Sequence, residues 1–522
     1  MNGRMQLKRN CTLIGFWGGW IIISLACNYP ARLAPPTHPA VEALRQTLNA
    51  AALTKQPENN ATQSATAGAL LPPGTMPQPL VESGRMVIEG EIARYIARSG
   101  DTLPALASRF GVDAASIRSD QPIPSSGLIP EGQVLFIPYT LSGVTPQPAL
   151  MPDSEVIESP STVDFAPVDF INQAGGYLAS YHEQVNGQTL SGAQIIQRVA
   201  RESSLNPRLL LALLEFRSGW VTQNQPPTSS ETYPLGFRIP AWQGLYREMV
   251  IAATHLNAGY YGWRSGSLIE IQFGDGRRLR LSPEQNAGTT ALQNLFAKLS
   301  PSEASWREGL YGAQNFSILH QRLFGDAWSR AASFEPLFPP GVTQPVLELP
   351  FPPGERWSFT GGPHPSWKTG SPRGAIDFAP VTGEPRCAVS RAWVTASAPG
   401  ITTRSERNVV ALDLDGDGYE QTGWVLIYLH IADLERVAAG QWLAQDERIG
   451  HPSCEGGTTT GTHVHIARKY NGEWIAADGP LPFLLSGWQV FADERDYLGE
   501  MRRDEQVVVA SPVGPRTSII VR

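Results

Sequence analysis

The spacing of apolar residues changes along this chain. In RYIARSGDTLPALASRFGV, residues 94–112, a short strand-like run gives way to Leu103, Leu106, Ala107 and Phe110. These four form one face of a helix that Asp101 or Thr102 can cap, and VLFIP follows as a closing strand. Between residues 168 and 335 the period is mostly that of helices. AQIIQRVARESSLNPRLLLALLEFRSGW predicts two helices broken near Asn206-Pro207, the second almost wholly apolar and therefore buried. After the Pro-rich joint LFPPGVTQPVLELPFPPG the pattern becomes short apolar runs, WVTASAP, VVALDL, WVLIYLHI and HVHIAR, separated by turns such as DGDG and NGEW. That is the pattern of antiparallel strands. The expected fold class is multidomain α+β: a small βα unit, a mostly helical middle unit and an antiparallel β-sheet unit.

A length of 522 residues fits this division, being roughly three to four domains at about 150 residues each. The net charge of -7, with no long basic run, gives no support to a nucleic-acid partner. Near the N-terminus Arg4, Lys8 and Arg9 precede LIGFWGGWIIISLA, 14 residues ending at Cys27. A membrane-spanning helix needs about 20, so a secretory signal is the better reading. SLAC resembles a lipoprotein cleavage box in which Cys27 is lipidated, and a short signal anchor is the alternative. Both place the rest of the chain outside the cytoplasm. Residues 28–90, rich in Ala, Pro, Thr and Gln, read as a flexible linker, and a second loose stretch occupies residues 141–167.

Five of the nine histidines lie in the C-terminal β unit. In a strand, residues two apart face the same way, so His463 and His465 of GTHVHIARKYNGEW project together and Val464 points away. Such a pair can be hydrogen-bonded surface residues or can share a metal and its water. Upstream, GGPHPSWKTGSPRGAIDFAP supplies His364 from a loop and Asp377 from an apolar strand. A carboxylate there is costly to bury unless it is paired or coordinates a cation. Two histidines and a carboxylate, with a fourth position for water, is the ligand count of a catalytic zinc site. His430 ends WVLIYLH on the face shared by Leu426 and Tyr428; His451 reads as a turn residue. DLDGDG opens like a calcium loop, but its twelfth position is Trp424, which favours a hairpin turn. Cys387 and Cys454 are the only cysteines beyond the signal. An oxidising compartment allows them to form a disulfide, the alternative being two buried thiols.

Two motif sets resemble known families. GDTLPALASRFGV with LIPEGQVLFIP resembles a LysM domain, which implies binding to N-acetylglucosamine-containing glycans such as peptidoglycan. GGPH, AIDFAP, YLH and GTHVH, in this order, resemble the lysostaphin-type zinc endopeptidases and their beta-lytic branch. That resemblance implies Zn2+ held by His364, Asp377 and His465, with His463 as general base and His430 stabilising the oxyanion. The helical unit loosely resembles lysozyme-like transglycosylases, but Arg217 stands in FRSGW where that family has its catalytic Glu. A guanidinium cannot act as a carboxylic acid, and Glu215 lies on another side of the helix, so this unit is expected to be non-catalytic.

The expected organisation is a signal at 1–27, a linker at 28–90, LysM at 91–140, a linker at 141–167, the helical unit at 168–335, the peptidase at 340–490 and a C-terminal tail at 491–522. The expected function is an exported, wall-associated endopeptidase acting on peptidoglycan, with membrane contact only through a lipid anchor. A non-catalytic wall-binding scaffold or regulator is the alternative.

Overall fold

The computed structural model describes residues 85–457, 459–512 and 517–522. The signal, Cys27 and nearly all of the first linker lie outside the described residues. Among the described residues, no helix is long and apolar enough to cross a membrane.

The N-terminal unit is a three-stranded antiparallel sheet, β1 (Met86–Glu89), β2 (Ile92–Ile96) and β3 (Val134–Pro138), with helix α1 (Leu103–Phe110) against it. The first strand extends this unit ahead of residue 91. Thr102 caps α1 by accepting from the Ala105 amide, and Gly111 ends it in the left-handed conformation. Asp101 is not the cap. It is buried and accepts from the Tyr95 hydroxyl (2.8 Å) and from Arg109 (2.6 Å).

The helical unit comprises α2 (Pro167–Ala174), α3 (Gly192–Ser203), α4 (Pro207–Ser218), α5 (Leu245–Ser265), α6 (Ala287–Leu299), α7 (Glu303–Tyr311) and α8 (Phe316–Phe324), with shorter segments between them. Asn206 caps α4 and Pro207 opens it, which is why the apolar run breaks there. The expected linker at 141–167 is instead part of this unit. Leu150, Met151, Val156 and Ile157 are buried in its core, and short 3-10 turns at Asp153–Glu155 and Pro160–Thr162 hold the segment in place.

The C-terminal unit is a nine-stranded sheet. Its strands are β4 (Arg356–His364), β5 (Ala375–Pro380), β6 (Gly400–Glu406), β7 (Val409–Asp413), β8 (Trp424–Leu429), β9 (Trp442–Leu443), β10 (Val464–Tyr470), β11 (Glu473–Trp474) and, far downstream, β16 (Ile519–Val521). They run in the order β9-β6-β7-β8-β10-β5-β4-β16, all antiparallel, with β11 paired to β10. A second sheet follows the order β12 (Leu484–Leu485), β13 (Trp488–Ala492), β14 (Gly499–Arg503), β15 (Gln506–Val509). Residues 491–522 are therefore not a tail. They supply β14, β15 and β16, the last of which is hydrogen-bonded to β4.

Both faces of the large sheet are covered, which explains why WVLIYL is continuously apolar instead of alternating. Leu426, Tyr428, Val464, Ile466, Ile376 and Phe378 pack into the core of the β unit. Val425, Ile427, Leu429, Ala467, Val409 and Ala411 join the core of the helical unit. Arg264 on α5 ties all three units together. Its guanidinium donates to the Ser99 carbonyl of the N-terminal unit (2.6 Å), lies 3.1 Å from Asp153 and pairs with Glu473 of β11 (3.1 Å).

Candidate metal centre

The candidate residues lie where β4, β5 and β10 run side by side. His465 on β10 stands opposite Asp377 on β5, and Gly361 of β4 stands opposite Asp377 on the other side. His364, at the end of β4, reaches in from beyond a register shift. Parity places Asp377 and His465 on the sheet face that the helical unit covers farther along, beside Ala375 and Ala467.

Three atoms converge. His364 Nε2 lies 3.0 Å from His465 Nδ1 and 3.3 Å from Asp377 Oδ1, and His465 Nδ1 lies 3.5 Å from the same oxygen. All three residues are buried. The other nitrogen of each imidazole is already committed: His364 Nδ1 donates to the Gly362 carbonyl (2.9 Å) and His465 Nε2 to the Ser366 carbonyl (3.0 Å). A carbonyl only accepts, so these bonds fix the tautomers and turn two nitrogen lone pairs toward each other and toward a carboxylate. Among the described residues, no group donates a hydrogen bond to the buried Asp377 Oδ1. Burial pushes the Asp377 carboxyl upward, but the neighbouring His364 and His463 outweigh it and hold the group well below the usual carboxylate range. Lone pairs and a carboxylate facing inward are an arrangement that a divalent cation fits, and the nitrogen and oxygen donors are those zinc takes.

Two further histidines flank this cluster. His463 Nε2 is 3.8 Å from Asp377 Oδ1, and its Nδ1 donates to the Gly461 carbonyl (2.7 Å). The His430 ring lies 4.6 Å from that of His463 between centroids, and His430 Nδ1 donates to the Glu455 carbonyl (2.7 Å). Burial, and then the neighbouring His463, push the His430 imidazole down to about 3, so it is neutral. Its Nε2 is thus an acceptor.

The main chain at His430 takes the left-handed conformation, φ 68°, which non-glycine residues rarely adopt. Ser453 holds it: both the Ser453 amide (2.8 Å) and its hydroxyl (2.9 Å) donate to the His430 carbonyl, while the Ser453 carbonyl accepts from the His463 amide (3.3 Å). Beside it, Cys454 is bonded to Cys387, which joins the loop before His463 to the loop after β5, with Cα atoms 5.1 Å apart. His451 Nδ1 donates to the Ala392 carbonyl (2.9 Å), a structural bond away from the cluster. Asp413 accepts from the amides of Asp415, Gly416 and Gly418, shaping the turn between β7 and β8.

Sequence reasoning missed Tyr497. Its ring lies over His364, with centroids 4.2 Å apart and planes 18° from parallel, and its amide donates to the Pro363 carbonyl (3.2 Å). Arg373 fastens the same loop by donating to the carbonyls of Asp493 (2.7 Å) and Arg495 (2.6 Å). The available signal was one aromatic residue in the charged turn DERDYLG. In the helical unit, Glu215 accepts from the amides of Val221 (2.9 Å) and Thr222 (3.0 Å), and Arg217 donates to the Leu235 carbonyl (2.8 Å). Both close local turns.

A small βα module docked on a helical unit and on a sheet that carries this cluster defines the class: the chain has a LysM domain at residues 95–138 and a LasA N-terminal domain at residues 149–337. It is homologous to Protease LasA of Pseudomonas aeruginosa, with 27% identity over 299 residues in each of two strains, covering 53% of this chain. The chain spans 65% of the length of those relatives, just under two thirds. Structural neighbours include the M23 metalloprotease pseudoalterin from the deep sea, with 20% identity, a TM-score of 0.29 and coverage of 34% of this chain and 100% of that one. Another is the catalytic domain of lysostaphin from Staphylococcus simulans, with 19% identity, a TM-score of 0.17 and coverage of 24% and 89%.

Proposed function

We propose that this protein is an exported zinc-dependent endopeptidase that hydrolyses peptide bonds of peptidoglycan and is held to the wall by its LysM domain. The observation that carries the reading is the convergence of His364 Nε2, Asp377 Oδ1 and His465 Nδ1, with the remaining nitrogen of each imidazole tied to a carbonyl. These three atoms would hold the zinc. Bound there, zinc supplies a Lewis acid that polarises the scissile carbonyl and makes a bound water acidic.

The remaining chemistry belongs to the chain. His463, whose Nδ1 donates to the Gly461 carbonyl, presents Nε2 beside Asp377, suited to take a proton from the attacking water and return it to the leaving amine. His430, a neutral acceptor next to it, orients the second hydrogen of that water. Tyr497 covers His364 and fixes its ring plane. The joined Cys387 and Cys454 support an oxidising compartment outside the cytoplasm, in agreement with the N-terminal apolar run.

The test uses the full chain and its His463→Ala variant, measuring zinc per chain and new amino termini released from purified peptidoglycan. The expected result is about one zinc in both proteins and release only by the wild type. Zinc without release from any of several peptidoglycan types overturns the enzyme reading in favour of a wall-binding scaffold.

A further inference from the structure

Residues 365–374 join the end of β4 to the start of β5, so one loop follows directly on His364 and leads to the strand that bears Asp377. The loop is closed on itself. The Ser366 amide (2.9 Å) and hydroxyl (3.0 Å) both donate to the Pro372 carbonyl. The Ser371 hydroxyl accepts from the Trp367 amide (3.1 Å) and donates to the Lys368 carbonyl (2.7 Å). A hairpin bonded in this way moves as one piece, so a push at its tip tilts its neck.

The neck touches the metal cluster. Buried Ser366 supplies the carbonyl that accepts from His465 Nε2 (3.0 Å). That bond keeps the proton on Nε2 and leaves the Nδ1 lone pair facing His364 and Asp377.

The tip rests on the helical unit. Gly370 has φ 100°, and a methyl group on its Cα would stand 2.4 Å from the Thr254 carbonyl oxygen and 3.2 Å from the Ala258 amide nitrogen, where ordinary contact begins near 3.4 Å. Glycine is what lets the loop come this close to the main chain of α5. Trp367 packs against the core that the helical unit shares with the sheet, and Lys368 reaches Glu202 of α3 (3.8 Å) and the Tyr246 ring of α5 (5.9 Å). On the far side the Arg373 carbonyl accepts from the Ala477 amide (2.9 Å), which pins the loop's exit to the β unit.

We propose that α5 positions the metal centre: its main chain at Thr254 and Ala258, pressed on Gly370, sets where the Ser366 carbonyl stands and so keeps His465 in its ligating tautomer. Gly370, Lys368 and Ser366 are positioning residues in this arrangement. The helical unit thereby tunes the zinc affinity of a cluster whose three ligands all come from the β unit. This rests on the reading that His364, Asp377 and His465 hold zinc.

The test is a chelator-competition titration of the full chain with zinc, alongside the visible spectrum of the cobalt(II)-loaded protein. Gly370→Ala should weaken zinc about tenfold, the low end of what a metal-ligating histidine loses with its hydrogen-bond partner, and should shift the cobalt bands. Gly440→Ala is the control. Gly440 has φ 84°, and among the described residues nothing lies within 4 Å of where its methyl would stand. It carries a similar main-chain cost with no helix to meet, and should keep wild-type affinity and spectrum. Lys368→Ala should weaken zinc about threefold by loosening the loop's hold on α3 and α5. Loss of a positive charge would by itself favour a cation, so weakening reads the brace.

Wild-type affinity and spectrum in both Gly370→Ala and Lys368→Ala overturn the proposal and leave the zinc reading standing. An equal loss in Gly440→Ala also overturns it, by tracing the effect to general destabilisation. A wild type that binds no zinc overturns both readings. Should Gly370→Ala not fold, Lys368→Ala decides alone: weaker zinc supports the brace, and unchanged or tighter zinc overturns it.

Discussion

The ring of Tyr497 lies nearly flat on the imidazole of His364, with centroids 4.2 Å apart. One residue comes from the end of β4 and the other from a turn 133 positions later, so the second sheet reaches back to brace a metal-ligand candidate. Tyr497→Phe keeps the stacked ring and should leave zinc affinity unchanged. Tyr497→Ala removes about 1 kcal/mol of ring contact and should weaken zinc about fivefold in a competition titration with a chelator.

Ligand and base candidates separate by substitution. Asp377→Asn removes the charge on which two imidazoles converge, and His465→Ala removes a donor. Each should lower zinc affinity by on the order of a hundredfold or more and abolish hydrolysis. His463→Ala should retain about one zinc while losing hydrolysis. Zinc content measured after dialysis against weak chelator distinguishes the two groups.

Ser453→Ala deletes one of the two donors to the His430 carbonyl and leaves the amide in place. The strained main chain at His430 should relax enough to lower kcat about tenfold, short of the ~10²–10⁴ lost with a proton-transfer group itself. KM and zinc content should not change. An equal fall in melting temperature and zinc content would mean that Ser453 serves only folding.

Stability should depend on Glu158, buried between the helical unit and the sheet near Glu420 and Lys469. Burial raises its carboxyl from 4.5 to about 7. Because the folded state then binds the proton more tightly, the stabilising contribution is full below pH 4.5 and is lost as the pH rises to about 7. The difference is worth about 3 kcal/mol at about 1.4 kcal/mol per unit. Glu158→Gln stays neutral throughout. It should match the wild type in denaturant unfolding at pH 4 and exceed it by about 2–3 kcal/mol at pH 8.

Local patterns carried much of this architecture, and long-range partners account for what they did not carry. WVLIYL could be read as a strand from six residues, and the spacing of His463 and His465 put both side chains on one face. Residues 150–162 could not be read that way. They have no sustained period, and their partners are distant in sequence: the Ser154 amide and hydroxyl both donate to Glu335 (2.9 Å each), 181 positions away. The same holds for β16, whose short apolar run becomes a strand only beside β4. At the cluster, residue types could be recognised from motifs, but the tautomer of His430 depends on the Glu455 carbonyl, a main-chain atom no motif encodes.

Arg264 touches the LysM domain, the helical unit and β11 with one guanidinium. Were any one of the three to swing away, a buried charge would lose a partner, which is costly. The molecule therefore behaves less like beads on a string than like a calliper, with the small N-terminal unit and the histidine cluster held at a single set distance.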